Sequence, residues 1–145
     1  MHAPDPDYKH VVERGFRDAA FLNDIGITLV DCGPGWCEST LRIGPRHLQH
    51  TGVIHAGVQS TLADHTAGGA AMTVTPADGV ILTVEFKMQL LRAALGDNLW
   101  CRAQVLKPGK AFHVVESEVY AMKGGKKTLV SKLGGTMAVV PRNVP

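Results

Sequence analysis

The sequence predicts an α+β domain, with one long central helix wrapped by an antiparallel sheet of about six strands and a helix ahead of them. Three observations carry this. Residues 55 to 74 form a long run of small and apolar residues, the pattern of a helix buried almost all round. The chain after residue 79 breaks into four strand-like segments. The last three are separated by the short turns "KPGK" and "KGGKK", which suit antiparallel neighbours.

In chain order, "DYKHVVERGFRDAAFL" (residues 7 to 22) follows a Pro/Asp start and spaces Tyr8, Val11, Val12, Ala19 and Leu22 as one helix. Residues 1–6 read as a flexible leader. "GITLVDCGPGWCESTLRI" reads as two strands around the turn Gly33-Pro34-Gly35. The central helix runs from about His55 to Val74 and is ended by Pro76 and Asp78-Gly79. Its glycines, each weakening a helix by roughly 1 kcal/mol, imply that backbone or a ligand approaches closely. "VILTVEFKMQLL" alternates strictly, with Val80, Leu82, Val84, Phe86, Met88 and Leu90 on one face and Thr83, Glu85, Lys87 and Gln89 on the other. "NLWCRAQVL", "AFHVVESEVYAM" and "TLVSKLGGTMAVV" complete the sheet.

Composition narrows the function. The 145 residues make one domain, 1–145, with no repeat or linker, and the net charge is +2 with scattered lysines and arginines. Neither nucleic acid nor a membrane is an expected partner. Three cysteines without CxxC spacing and no secretory signal pattern point to a reducing cytoplasm. His47, His50, His55 and His65 match no common zinc spacing, so no metal is expected. Ser60 lies in no GxSxG elbow.

One residue is out of place. Between Arg46 and Asp78 the only formally charged side chain is Asp64, inside the apolar helix. A carboxylate there is costly unless compensated, and burial raises its pKa toward that of a useful base.

Around it, Gly52, His55, Gly57, Leu62, Ala63 and Asp64 spell GxxHxGxxxxLAD. This stretch and the following "TVEFKMQLLRAALGDNLWCRAQVLKPGKA" resemble the hotdog-fold acyl-CoA thioesterases of the phenylacetate-pathway (PaaI-type) group, over roughly residues 20 to 140. The chain departs from the group in reading His55-Ala56-Gly57 where His-Gly-Gly is usual, and Gln49 where many members carry Asn.

The resemblance implies hydrolysis of an acyl-CoA, aromatic or medium-chain, with coenzyme A part of the substrate and no other cofactor. Asp64 is then nucleophile or general base, and the backbone N–H groups of Ala56 and Gly57, at the positive end of the helix, are oxyanion donors. Gln49 and His55 are placed to orient water or thioester, although His55 reads equally as a helix cap. The resemblance puts the Thr83 hydroxyl at the reacting centre and Glu85 and Leu90 near the pantetheine arm. It puts Lys107, Gly109 and Lys110 against coenzyme A, where cations and free N–H groups suit phosphates. Without it, Thr83 and Glu85 are the solvated face of a strand.

At about 1.5 Å per residue, Gly57 and Asp64 stand on the order of 10 Å apart along one helix. Donor and attacking group must both reach one carbonyl. Two antiparallel copies resolve this, so a homodimer with shared sites is expected, and by resemblance a homotetramer. A non-catalytic acyl-CoA-binding hotdog module is the alternative. A hydratase is disfavoured, because the only Asp followed five positions later by a His ahead of the helix, Asp5 with His10, lies at the N-terminal end of the chain and is badly placed.

Overall fold

The computed structural model describes residues 1–143. Its elements in chain order are α1 (Tyr8–Asp18), α2 (Ala20–Ile25), β1 (Ile27–Gly33), β2 (Trp36–Arg42), a 3-10 turn (Pro45–His47), α3 (Ala56–Met72), β3 (Gly79–Leu90), β4 (Asn98–Lys107), β5 (Phe112–Lys123) and β6 (Lys126–Pro141). The strands form one antiparallel sheet in the order β1-β2-β4-β5-β6-β3. It curls around α3, so β1 and β3 are left as edges.

The small residues of α3 let the sheet come close. Leu62, Ala63, Thr66, Ala67, Gly69, Ala70 and Ala71 are buried. A Cβ on Gly69 would lie 2.8 Å from Cys37 Sγ on β2, so only glycine fits there. Polar side chains also tie helix to sheet: the Ser117 hydroxyl donates to the Ala63 carbonyl (2.8 Å), and Gly35 N–H donates to Thr73 Oγ1 (2.8 Å). Cys32, Cys37 and Cys101 are buried free thiols, and burial pushes that of Cys101 up to about 12.

Two expectations are corrected. The first helix is two helices, α1 and α2, broken at Ala19, which is extended (φ −77°, ψ 98°). The break lets Val12, Phe16 and Leu22 all turn inward, and the Asn23 amide closes it by donating to the Arg17 carbonyl (2.8 Å). Ahead of α1, Asp5 is buried and its carboxylate accepts from Asp7 N–H (2.8 Å). The strict alternation of β3 is interrupted, because its pairing with β6 shifts register between Thr83 and Glu85. Val84 is the extra residue of a bulge, which reverses the facing of everything after it. Ile81 and Thr83 face α3 before the bulge; Phe86 and Met88 do so after it. Leu82 and Val84 are exposed instead.

The close fit at Gly69 sets a test. Gly69→Ala is expected to destabilise the fold by about 1–3 kcal/mol in urea unfolding, the usual cost of overpacking. Gly15→Ala in α1, where a Cβ meets nothing within 4 Å, is expected to be neutral or to stabilise by up to about 1 kcal/mol.

Candidate active site

Asp64 projects from the flank of α3, half-buried, toward the edge strand. Thr83 donates a hydrogen bond to its Oδ1 (2.9 Å), which leaves Oδ2 as the oxygen available for chemistry. Burial pushes the carboxyl above its ordinary pKa, and the Thr83 hydroxyl partly offsets this by favouring the charged form. Cavities open on both sides of the carboxylate. One of about 180 Å³ lies between α1 and the later part of α3. The other, about 220 Å³, is bounded by α2, the earlier part of α3 and Phe86.

A separate cluster forms at the N-terminus of α3. Gln49, Ala56 and Leu90 line a cavity of about 350 Å³ there. His55 is the N-cap residue: its Nδ1 accepts the Gly57 N–H (2.8 Å). The imidazole therefore acts as a cap in this structure and occupies one of the two expected oxyanion donors. Ala56, at the first helical position, keeps an N–H that no helix carbonyl can receive. Gln59, buried at 3 % exposure, donates to the Ile54 carbonyl (3.1 Å), while its Oε1 is unpartnered beside the same cavity.

The structure thus joins Asp64 to Thr83, and Gln49 to Ala56 and Leu90, but holds these pairs apart within one chain. The other expected site residues lie elsewhere. Glu85 pairs with Thr136 and, beyond the bulge, faces away from α3. Lys107, the last residue of β4, and Gly109 and Lys110 in the β4–β5 turn are exposed, near the C-terminal end of α3. There Gly109 N–H donates to His113 Nδ1 (3.1 Å), and His113 Nε2 meets Thr75 Oγ1 (3.2 Å). That amide is occupied, so the two lysines are the cationic groups the turn presents.

Sequence reasoning missed His65, which lines both cavities beside Asp64 and stands edge-on to Phe16 (centroids 4.6 Å apart). Burial pushes its pKa down, which keeps the ring neutral at neutral pH. It missed Gln59 and the α1 residues Val11, Gly15 and Phe16 that wall the smaller cavity. Their only signal was helical spacing toward α3. His47 is structural: it accepts Gly44 N–H at Nδ1 (2.9 Å) and meets the Ile25 carbonyl through Nε2 (2.7 Å).

A single long helix enclosed by a curved antiparallel sheet, with an acid on the helix flank, defines a hotdog-fold hydrolase. The chain belongs to the thioesterase superfamily, whose family model matches residues 51–128. It is similar to a thioesterase family protein of Silicibacter pomeroyi of known structure, with 28% identity and a TM-score of 0.90 over 92% of this chain and 98% of that one. Human acyl-coenzyme A thioesterase 13 is 29% identical over 69% of this chain and 71% of its own length. The PaaI protein of the E. coli phenylacetic acid degradation operon shares the fold, with a TM-score of 0.79 at 20% identity over 92% of this chain and 96% of its own.

The environment of Asp64 sets the sign of a pH effect. Its folded pKa is raised, so between the unfolded and folded values the native state holds more protons than the unfolded chain. Stability therefore falls as pH rises through that window and stays lower above it. Asp64→Asn is expected to raise the melting temperature at pH 8, with the gain vanishing on acidification below the ordinary carboxyl range. Equal shifts at both pH values would contradict this. Thr83→Val removes the bond that favours the carboxylate, and should move the acidic limb of the kcat/KM profile to higher pH.

Proposed function

We propose that this protein hydrolyses an acyl-CoA, aromatic or medium-chain, at sites shared by two copies. Asp64 of one copy is the nucleophile or general base, and Ala56 N–H of the other is the principal oxyanion donor. As general base Asp64 takes a proton from water while the water oxygen bonds to the carbonyl carbon; as nucleophile its own oxygen forms that bond, and water then cleaves the resulting anhydride. The C–S bond breaks, and the proton removed from water is returned to the departing thiolate sulfur. Gln49 at the donor side and Thr83 at the acid side orient the reactants. Gly57 joins as a second donor when the His55 ring swings off its N–H. Lys107 and Lys110 serve the phosphates of coenzyme A.

The observation that carries this reading is the separation of acid and donor along α3. Asp64 and Ala56 stand on the order of 12 Å apart on one rigid helix, and they face different cavities. Support for pairing comes from β3, an edge strand with Leu82, Val84, Phe86 and Leu90 exposed on it or around it. Such an edge is covered in solution, and a second β3 covers it. A tetramer of two such dimers, in a reducing cytoplasm that keeps the three thiols free, completes the proposal.

Complementation tests it. Asp64→Ala is expected to lower kcat for thiol release at least about a hundredfold. Ala56→Pro deletes one N–H at a position where proline is tolerated, and His55 (φ −61°, ψ 139°) already has the backbone that precedes proline. It should cost about 10²–10³ in kcat. When the two inactive variants are unfolded together and refolded, about half the dimers are mixed, and each has one intact site. Recovery to about a quarter of wild-type activity is expected. No recovery would place each site within one chain. Tight acyl-CoA binding without thiol release by the wild type would identify a binding module instead.

A further inference from the structure

Two glycines of the cavity between α1 and α3 have no packing reason within the chain to be there. A Cβ on Gly15 or on Gly68 meets nothing within 4 Å, whereas one on Gly69, the next residue, would collide with Cys37. Gly69 is therefore explained by the approach of the sheet, and the other two are not. Each weakens its helix by roughly 1 kcal/mol relative to alanine. Both line the same cavity of about 180 Å³, which has Asp64 and Thr83 at one end and Val11, Phe16 and Met72 among its walls. Gly68 and Met72 follow Asp64 at steps of four, so they continue its face of the helix away from the donor end.

We propose that this seam receives the acyl group, and that Gly15 and Gly68 are the specificity-determining positions that keep it open. The inference rests on the hydrolytic role given to Asp64 above. With the thioester carbonyl at Asp64, the acyl group extends along the α1–α3 seam, where the walls are apolar as a buried tail requires. The pantetheine arm leaves by the opposite side, past Phe86. A cavity on the order of 150 Å³ holds one benzene ring. The seam, at about 180 Å³, therefore suits a single ring with its linking carbon, or a chain of comparable bulk. It does not suit a long fatty tail. The N-terminal helix thus acts as the wall that sets acyl size.

The test measures thiol release from acetyl-, benzoyl-, octanoyl- and palmitoyl-CoA by the full chain. Wild-type kcat/KM is expected to be highest for benzoyl-CoA or octanoyl-CoA and lowest for palmitoyl-CoA. Gly68→Leu and Gly15→Leu, made on different helices, are each expected to lower kcat/KM for benzoyl-CoA about 10- to 200-fold. Their effect on acetyl-CoA should be several times smaller. Met72→Ala, which lengthens the seam, should move the preference toward the longer chain. Circular dichroism and size exclusion confirm that each variant is folded. Equal losses for every acyl group in both leucine variants, or a wild-type preference for palmitoyl-CoA, would overturn the pocket while leaving a thioesterase. Absence of thiol release from all four by the wild type would overturn the thioesterase reading itself.

Discussion

The close approach of the sheet to α3 is the constraint on which the rest depends. A sheet can curl around a helix only if the buried helical face is nearly free of bulk, and Ala63, Ala67, Gly69, Ala70 and Ala71 provide that. The contact between Gly69 and Cys37 is its tightest point. Once α3 is gripped in this way it cannot bend or shift register at low cost, because interiors are close-packed. Its rigidity fixes Asp64 on the flank facing β3 and Ala56 at the far end. The separation between acid and donor is thus a consequence of how the core is packed.

That rigidity also makes the environment of Asp64 dependable. The carboxylate is half-buried beside apolar walls, with a single hydroxyl on Oδ1. Desolvation raises its proton affinity and Thr83 restrains the rise. The role of base proposed for it would need this compromise: enough affinity to take a proton, yet ionised at the working pH. The bulge at Val84 is what allows it. Without the extra residue, Phe86 and Met88 would face outward, and the wall on the donor side of Asp64 would be missing. Bulges next to active sites commonly re-aim side chains in this way.

The helix N-terminus shows a second compromise. His55 caps α3 by accepting the Gly57 N–H, which satisfies one orphan donor of the helix. The same bond takes the Gly57 amide out of use as an oxyanion donor for as long as the ring sits on it. The donor that remains, Ala56 N–H, requires no side-chain movement, and alanine supplies it as well as glycine.

Much was legible in the sequence for local reasons. The helix period and small residues of α3, the succession of strand segments along the chain and the isolation of Asp64 are properties of near neighbours in the chain, so the α+β class, the six strands and the acid could be read from it. The break at Ala19 could not, because it depends on Phe16 and Leu22 both finding the core. Nor could the bulge at Val84, since the alternation of β3 continues through it and only pairing with β6 reveals the shift. The link between Asp64 and Thr83 was suggested by resemblance, but the bond itself exists only because β3 lies along α3. The walls of the seam, Gly15 from α1 and Gly68 from α3, are more than fifty residues apart in the chain. The sequence by itself determined which residues are small, charged or alternating. Tertiary structure alone decided which of them share a cavity, because a cavity is the space left between elements whose spacing is set by all the other contacts.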